Sequence, residues 1–276
     1  MQWSVIAAVN DERVLQSTLL ASPGIQSATE VILQRGYSTA AAAYNSAIRK
    51  ATTDFLVFIH QDVYLPEGWM DAVQNAVGIL SQQDPDWGVL GIWGAVDYSD
   101  QPVGYLYWTG DQGYEDPFEG AKEIVSLDEA VLIFRKSSGL RFDEGLPGYH
   151  LYGTDICFEA RRAGKKCYSI SAFCIHNTNS ISGKLLPQQF WKCYFYMRRK
   201  WKDSLPIVTP CTRISASGWP ILHWHLIFFR DLLLGRHQKH CSVADPGKLY
   251  ADLLARGRIQ QVGMLPAPSG MATAQK

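Results

Sequence analysis

The chain has 276 residues, and its 26 Lys and Arg balance 26 Asp and Glu, so the formal net charge is zero. This balance argues against a protein that binds nucleic acid through a strongly basic surface. The hydrophobic content of 47% supplies a sizeable core for one large domain, or for one domain with an appendage.

The six cysteines are scattered and form no C-x-x-C pair, which is typical of reduced thiols in a cytosolic protein. The N-terminal residues lack the basic start and the cleavage site of a signal peptide. The sequence has no uninterrupted 18-residue apolar run, so we expect no transmembrane helix. Together these features predict a cytoplasmic protein.

The first predicted strand, residues 4–9, ends at Asn10, Asp11 and Glu12. These side chains could cap the next helix, because Asn and Asp accept from unpaired backbone N–H groups. They could also contact the base or ribose of a nucleotide above the sheet edge. The next elements are a strand at residues 30–33, a turn with Gly36 and Ser38, and an Ala-rich helix at residues 39–51 that carries Asn45.

An unbroken apolar and β-branched run at residues 55–59 predicts a strand that is buried on both faces of a parallel sheet. The run stops at His60, Gln61 and Asp62, at the carboxyl end of a central strand. Open α/β sheets bind ligands at that edge. A carboxylate and an imidazole two residues apart suit a divalent cation there, although Asp62 could instead only cap the following turn.

The middle of the chain continues the alternation of strands and helices. Residues 111–120 have loop composition and are a candidate lid over a ligand. Asp128 and Glu129 precede a predicted strand at residues 131–134. These two carboxylates either bind a ligand or only finish a loop.

Asp155 is predicted to open a helix that Gly164 closes. A strand at residues 167–175 follows and ends in His176. This histidine is either a metal ligand or a hydrogen-bonded surface residue.

The pattern changes after this strand, with a predicted helix at residues 187–202. Residues 221–234 are apolar and aromatic but include Arg230 and Asp231. This segment is either a helix packed on the domain or a helix that contacts a membrane surface or a partner. We therefore predict three parts, a first domain at residues 1–182, a helical extension at 183–265 and a disordered tail at 266–276.

Three motifs follow one another at residues 43–62, 127–134 and 150–164. The first is a helix followed by a strand that ends in His-Gln-Asp. The second is the stretch Leu-Asp-Glu-Ala-Val-Leu-Ile-Phe. The third is a helix with an acidic residue at its start and an Arg and a Gly at its end. In this order, over about residues 3–180, they resemble the family-2 glycosyltransferases with the GT-A fold, especially a bacterial subgroup linked to capsule and surface polysaccharide. The absence of G-x-G-x-x-G and Walker A sequences weighs against a dinucleotide-binding domain.

The resemblance implies an α/β, GT-A-like fold, with a mostly parallel sheet sandwiched by helices and a C-terminal helical extension. It implies transfer of a sugar from a nucleotide-diphosphate donor, expected to be a UDP-sugar, to a hydroxyl of a glycan or lipid-linked glycan, with inversion. A divalent cation, Mn²⁺ or Mg²⁺, neutralises the leaving diphosphate in such a reaction. Asp62 and His176 are the implied ligands, and His60 stands where Asp-x-Asp has its first Asp.

The catalytic base is where this chain departs from the family. In many relatives a Glu-Asp pair supplies it, and the pair falls here at Tyr152 and Gly153, which cannot remove a proton from an acceptor hydroxyl. We expect Asp155 to be the base, with His150 as the second candidate. Asp155 could also be a helix cap without a chemical role.

The remaining expectations concern binding and partners. Trp93, Trp108 and Tyr149 could stack on sugar rings, although large aromatics usually fill cores. The donor and cation are expected to contact Asn10, Asp11, Glu12, Ser38, Asn45, Gln61 and Asp62, and the sugars to contact Asp128, Glu129, Trp93 and Tyr149.

The expected partners are a nucleotide sugar and a glycan or lipid-linked acceptor, and no nucleic acid. Peripheral contact with the inner face of a membrane through residues 221–234 is a further option. A nucleotidyltransferase and a non-catalytic module that binds a nucleotide sugar or glycan stay open as other classes.

Overall fold

The computed structural model describes residues 1–96, 102–109, 117–178, 188–235 and 241–262. The predicted domain boundary at residue 182 and the predicted tail at 266–276 lie outside these ranges, as does most of the candidate lid at 111–120. The predicted division into domains therefore stays a prediction.

The bounds of the elements are as follows. The strands are β1 (Trp3–Val9), β2 (Glu30–Arg35), β3 (Phe55–Ile59), β4 (Val63–Tyr64), β5 (Val89–Gly91), β6 (Trp93–Ala95), β7 (Pro102–Gly104), β8 (Leu106–Trp108), β9 (Ala121–Glu123), β10 (Ser126–Leu127), β11 (Val131–Arg135), β12 (Cys167–Ile170), β13 (Cys174–His176), β14 (Ile207–Val208) and β15 (Arg213–Ile214). The helices are α1 (Glu12–Ser17), α2 (Ala40–Lys50), α3 (Trp69–Gln83), α4 (Tyr152–Arg162), α5 (Gln188–Lys200), α6 (Trp219–Leu233) and α7 (Pro246–Ala255).

The central sheet has seven strands in the order β2-β1-β3-β11-β5-β12-β9. The pairings of β1 with β2 and β3, and of β5 with β12, are parallel, whereas β11 and β9 run in the opposite direction. The predicted strand at residues 55–59 is β3, and all five of its residues are buried. The α/β, GT-A-like fold class predicted from the sequence is confirmed, with a sheet in which five of seven strands share one direction.

An aromatic cluster fills the space behind β3 and joins it to α2, β11 and α4. Phe58 stacks on Phe134 with 4.7 Å between the ring centroids. Tyr44 contacts Phe58 and Tyr152 with centroids 5.2 and 5.5 Å away. Aromatic pairs of this kind each contribute about 0.5–1.5 kcal/mol beyond burial of their area. The cluster therefore fixes the position of the residues that follow β3.

The predicted strand at residues 167–175 is wrong as one element, because it divides into β12 and β13. The first half joins the central sheet, and the second half joins a three-stranded sheet in the order β4-β13-β8. In that sheet His176 pairs with Val63, and the backbone N–H of Asn177 donates to the carbonyl of Asp62 over 2.7 Å. The change of sheet brings the end of β13 against the turn that follows β3.

Helix α4 begins at Tyr152, three residues before the predicted start at Asp155. Leu151 caps the helix in a left-handed conformation, with φ of 63°. A Cβ atom on Gly153 would lie 2.7 Å from the carbonyl oxygen of Leu127, so only glycine allows this close approach. The amino end of α4 therefore packs directly on the end of β10.

The region predicted as a helical extension, residues 183–265, also contains the hairpin of β14 and β15. Helix α7, which the sequence did not indicate, packs on the body through Tyr250, whose ring lies 5.9 Å from that of Phe173. The side chain of Asn177 holds the segment before α7 through two hydrogen bonds to the backbone of Val243, of 2.8 and 2.9 Å. Among the helices that the structure describes, none combines the length and apolar character needed to cross a membrane.

Candidate functional site

Three side chains converge where β3 and β13 end. A carboxylate oxygen of Asp62 lies 3.2 Å from Nε2 of His176, and Nδ1 of His60 lies 3.5 Å from the same nitrogen. One ligand atom from each residue lies within 4.8 Å of the other two. The sequence predicted this meeting, because Asp62 and His60 follow the central strand and His176 ends a later one.

The charges in this group are interdependent. Burial would raise the pKa of Asp62, but the His176 imidazole holds it well below the ordinary value. Burial would lower the pKa of His176, but the Asp62 carboxylate raises it. Burial and the neighbouring His176 both lower the pKa of His60. Without a cation, the group is therefore a neutral His60 beside a charged His176–Asp62 pair.

Tyr152, at the start of α4, contacts His60 from the side opposite to the cluster. Its hydroxyl lies 2.7 Å from Nε2 of His60 and donates to the carbonyl of Glu129 over 3.3 Å. Since the hydroxyl proton is used on that carbonyl, Nε2 of His60 carries the proton that Tyr152 accepts. The Nδ1 atom of His60 then has a free lone pair directed at the other two residues.

This set of donors fits a divalent cation. Ligand atoms that lie about 2.1 Å from one ion are separated from each other by about 3.0–3.5 Å, which matches the 3.2 and 3.5 Å separations observed here. Two imidazoles with one carboxylate favour Mn²⁺ or another transition metal over Mg²⁺, which prefers oxygen ligands. The charged His176–Asp62 pair would lose its proton to solvent when the cation binds.

A cleft of about 540 Å³ opens beside these residues, along the carboxyl ends of three neighbouring strands, β2, β1 and β3. A cleft of this size suits a nucleotide-sized ligand. It is lined by Ala8, Val9, Asn10, Gly36, Tyr37, Tyr44, His60, Gln61, Asp62 and Tyr149.

Gln61 joins the ends of β1 and β3 at the floor of the cleft. Its side-chain oxygen accepts from the backbone N–H groups of Asn10 and Asp11 over 3.0 and 3.2 Å, and its amide donates to the Asn10 side chain. Asp11 caps α1 by accepting from the N–H groups of Arg13 and Val14. Of the polar residues after β1, Asn10 therefore lines the cleft, whereas Asp11 has its carboxylate turned to the helix.

Three other residues predicted to contact the donor lie outside the lining of the cleft. Glu12 forms an exposed ion pair with Arg35. Ser38 is exposed in the turn before α2. Asn45 is buried, and its side chain makes hydrogen bonds of 2.8 and 3.0 Å with the backbone of Phe142.

Asp128 and Glu129 lie between β10 and β11, near the histidines. The Asp128 carboxylate accepts from the backbone N–H of Ala130 over 2.8 Å and acts electrostatically on both His60 and His176. Burial, with a smaller contribution from Asp128, raises the pKa of Glu129 to about 8. Backbone N–H groups at the amino end of α4 oppose that rise. Glu129 thus has a protonation equilibrium near neutral pH.

The aromatic residues predicted to contact sugars are placed differently from one another. Trp93 is buried, with its ring edge-on to Trp108 at 4.8 Å between centroids. Tyr149 lines the cleft, and its hydroxyl donates to the Tyr37 carbonyl over 2.9 Å. His150 is half-buried with its ring 5.6 Å from that of Phe190, and burial lowers its pKa.

Asp155 lies in a second group of acidic residues around Lys200 of α5. Both of its oxygens accept from the Lys200 ammonium, at 2.8 and 2.9 Å, and Trp201 donates to one of them over 2.7 Å. The same ammonium lies 2.7 Å from Asp143 and 2.8 Å from Glu159. Burial raises the pKa of Asp155, and Lys200 offsets this in part. A cation of the protein thus already fills this group of three carboxylates.

Sequence reasoning missed Tyr37, Tyr44, Tyr152 and Lys200. Both Tyr37 and Tyr44 line the cleft, and Tyr152 was noted only as a position unable to act as a base. Tyr37 follows the end of β2, as Gln61 follows the end of β3. The rule that ligands bind at the carboxyl ends of the strands could therefore have found Tyr37 as well. The contact of Tyr152 with His60 spans 92 residues, and no local pattern signals it.

The fold and the site together define an α/β protein with a cleft and a candidate cation site at the carboxyl edge of its sheet. A profile described as the glycosyltransferase-like family matches residues 4–189. This match covers more than half of the chain, so the chain belongs to that family. The predicted resemblance to family-2-like glycosyltransferases is thereby confirmed.

One curated relative is the protein named ATP synthase subunits region ORF 6 from Fuscovulum blasticum. It is 26% identical over 135 residues, which cover 46% of this chain and 53% of that protein. The chain thus spans about half the length of the curated relative that it matches.

Solved structures with a similar arrangement include three at low sequence identity. GalNAc-T7 with UDP, GalNAc and Mn²⁺ is 11% identical, with a TM-score of 0.49 over 74% of this chain and 49% of that one. TarS of S. aureus is 13% identical, with a TM-score of 0.43 over 72% and 39%. A197 from STIV is 11% identical, with a TM-score of 0.39 over 62% and 83%.

Proposed function

We propose that this protein transfers a sugar from a nucleotide-diphosphate donor, a UDP-sugar in our expectation, to a hydroxyl of a glycan or lipid-linked glycan, with a divalent cation and with inversion. The observation that carries the proposal is the convergence of His60, Asp62 and His176 beside the cleft. Family membership supports the same class of reaction.

The nucleotide binds in the cleft at the ends of β2, β1 and β3. Tyr37 and Tyr149 offer apolar ring surface to a base, and the exposed Asn10 offers hydrogen bonds. The Gln61 side chain holds the ends of two strands together, so the floor of the site is formed before the ligand arrives. A preorganised site loses less entropy on binding.

His60, Asp62 and His176 hold the cation, for which we propose Mn²⁺ over Mg²⁺ because two of the three ligands are imidazoles. When bound, the cation neutralises the charge that develops on the departing diphosphate. Tyr152 keeps Nδ1 of His60 unprotonated and directed at the cation. The chain thus supplies ligands, their orientation and a partly buried setting in which charges interact strongly.

We propose Glu129 as the base that removes the proton from the acceptor hydroxyl. Its pKa of about 8 suits proton transfer near neutral pH. It lies beside the amino end of α4, where Tyr152 and Gly153 replace the family's acidic pair. The oxygens of Asp155, by contrast, are both held by Lys200. Asp128, also close to both histidines, is proposed to bind the acceptor or the donor sugar.

A binding module without turnover is the second candidate, and Gly153 is the observation that favours it. Its close approach to Leu127 excludes any side chain at a position where relatives have the catalytic Asp. If no other group serves as base, the protein binds nucleotide sugars without transferring them.

Release of nucleoside diphosphate from a panel of nucleotide sugars tests the proposal, with Mn²⁺ and with EDTA in parallel. We expect metal-dependent release, and we expect Asp62→Ala to abolish it while the circular dichroism spectrum stays unchanged. Binding of a nucleotide sugar without release, across acceptors, would establish the binding module instead. Full activity of Asp62→Ala would contradict the role of the cation.

The base is assigned by comparing Glu129→Gln, Asp155→Asn and His150→Ala in the same assay. We expect Glu129→Gln to lower turnover by about 10²-fold or more. A larger loss in Asp155→Asn or His150→Ala, in protein that melts like the wild type, would assign the base to that residue.

A further inference from the structure

Helix α6 exposes an apolar stripe that the other described parts of the chain do not cover. Trp219, Leu222, Leu226, Phe229 and Leu233 recur every three or four residues, so they lie on one face of the helix. Each of these side chains is more than half exposed. A helix at the surface of a globular protein normally carries polar residues on such a face, so this face has an apolar partner.

The exposed apolar surface widens towards the carboxyl end of α6. There Leu232 and Leu234 are also more than half exposed, beside Leu233. The side of the helix next to the stripe contacts α5, where the ring of His225 stacks on Trp191 with 5.5 Å between centroids. That side of α6 is therefore already occupied, whereas none of the residues that the structure describes covers the stripe.

Basic residues are concentrated in the segment that carries this surface. Lys192, Phe195 and Arg199 are exposed at one face of α5, spaced by three and four residues. Residues 188–235 contain seven Lys and Arg but only two Asp and Glu, whereas the whole chain is neutral. The segment that carries the apolar stripe is thus positive in a molecule whose remaining residues are negative overall.

We infer that α6, together with the exposed face of α5, docks on an anionic lipid bilayer and lies in the plane of its surface. An apolar face with a Trp and flanking Lys and Arg is what binds the headgroup region of anionic membranes. The 15 residues of α6 span about 22 Å, which is too short to cross the hydrocarbon core. The helix therefore lies on the membrane and does not span it.

A second copy of the chain fits this surface less well. In a symmetric pair, the same surface of both copies would meet, which would place the exposed Lys192 and Arg199 of α5 at the interface twice. Like charges placed together oppose such a pair. Acidic headgroups neutralise these two residues, so the charges favour the bilayer.

This inference adds a location to the proposed function, because an acceptor carried on a lipid would then be held at the face that docks. Only this link to the acceptor rests on the proposed function, since docking on the bilayer needs no donor, metal or turnover. The docking and the proposed function can therefore fail separately.

Co-sedimentation with vesicles tests the docking without any nucleotide present. The vesicles are phosphatidylcholine alone, or phosphatidylcholine with about 30% phosphatidylglycerol, at about 0.05 and 0.5 M salt. We expect binding to the anionic vesicles at low salt, weakened several-fold at high salt. Leu226→Glu/Phe229→Glu should lower the bound fraction at least about 10-fold, and Lys192→Glu/Arg199→Glu should remove the preference for anionic lipid.

The matched control is Val31→Glu, because Val31 is an exposed apolar residue on β2, at the edge of the central sheet. It should leave vesicle binding unchanged, and circular dichroism should show that all variants fold. Sedimentation velocity reports the oligomeric state in parallel. Absence of wild-type binding to anionic vesicles overturns the inference, as does equal binding by Leu226→Glu/Phe229→Glu. A dimer that this double variant dissolves, without vesicle binding, would show that a second copy covers the stripe.

Discussion

Position 60 holds an imidazole where Asp-x-Asp has a carboxylate, and the structure gives that imidazole a partner on each side. Tyr152 binds one ring nitrogen and fixes its tautomer, so the other nitrogen faces His176 and Asp62. A neutral imidazole lowers the negative charge of the site compared with a second carboxylate. It also shifts the preference of the site from hard to softer cations.

Tyr152→Phe should weaken Mn²⁺ binding by about 10–100-fold, because the imidazole loses the hydrogen bond that orients it. Electron paramagnetic resonance of free Mn²⁺ measures this without any turnover. Tyr44→Phe is the matched control, since the Tyr44 hydroxyl lies in the same aromatic cluster and contacts only Tyr152, at 3.4 Å, among the hydrogen bonds described. Equal affinities of the two variants would mean that Tyr152 has no part in orienting His60.

Glu129 should give the activity and the stability opposite dependences on pH. Because its pKa is raised to about 8, kcat/KM should rise with pH up to about 8 as the base loses its proton. The stability that the protonated group gives is complete below its ordinary pKa of 4.5 and is lost as the pH rises through about 8.

Glu129→Gln mimics the protonated acid, so it should abolish the rise of kcat/KM and raise Tm at pH 9 by at least about 2 °C. At pH 5 its Tm should be close to that of the wild type. Glu67→Gln, at an exposed position, is the control and should change neither quantity. A Tm difference that is the same at pH 5 and pH 9 would contradict the raised pKa.

At the scale of elements, Lys200 joins α5 to α4 through Asp155 and Glu159, and to the loop before α4 through Asp143. Of these carboxylates, that of Asp155 is almost fully buried. Burial would lower the pKa of Lys200, but Asp155, Asp143 and Glu159 raise it above its ordinary value. The ammonium therefore stays charged at neutral pH. It replaces solvent as the partner of Asp155.

Lys200→Ala should lower the free energy of unfolding by about 3–5 kcal/mol at pH 7, because it leaves a buried carboxylate without a counter-charge. The loss should be smaller at acidic pH, because burial raises the pKa of Asp155, removal of Lys200 raises it further, and a neutral carboxyl needs no counter-charge. Urea unfolding measures both. Lys165→Ala breaks an ion pair with the mostly exposed Asp86, and it should cost less than about 1 kcal/mol. Similar losses in the two variants would show that burial of Asp155 carries no particular penalty.

Elements whose apolar runs end in polar residues were predicted well, and elements defined by long-range pairing were not. The bounds of β3 agree with the prediction because turn residues lie on both sides of a fully buried run. The run at 167–175 reads as one strand, but Cys174–His176 pairs with Val63–Tyr64 and leaves the central sheet. The start of α4 was missed because Leu151 adopts a conformation that is rare outside glycine.

At the scale of the whole molecule, the cleft and the cation ligands come from five separate stretches of sequence, at residues 8–10, 36–44, 60–62, 149 and 176. The order of strands explains why the cleft could be predicted, because the ends of parallel strands meet at one edge. His176 reaches that edge in another way, through the antiparallel pairing of β13 with β4. The sequence alone could not show whether the apolar face of α6 is packed in the protein or exposed. Its spacing is the same in either case, and only the position of α5 shows which face is free.

If one cation links the protein to the diphosphate, nucleotide and metal should stabilise the fold together and not independently. UDP at about 100 times its Kd should add about 2.7 kcal/mol in the presence of Mn²⁺, a rise in Tm of about 5 °C or more. With EDTA the rise should largely disappear, and by reciprocity UDP should tighten the binding of Mn²⁺.

The same thermal melts with Asp62→Ala should show a small response to UDP whether or not Mn²⁺ is present. Gln61→Ala is the matched comparison, because Gln61 lines the same cleft but is not one of the three cation ligands. It should weaken UDP binding while the dependence on Mn²⁺ stays. An equal response to UDP with Mn²⁺ and with EDTA would mean that the nucleotide binds through the cleft alone, because a shared ion makes the two affinities interdependent.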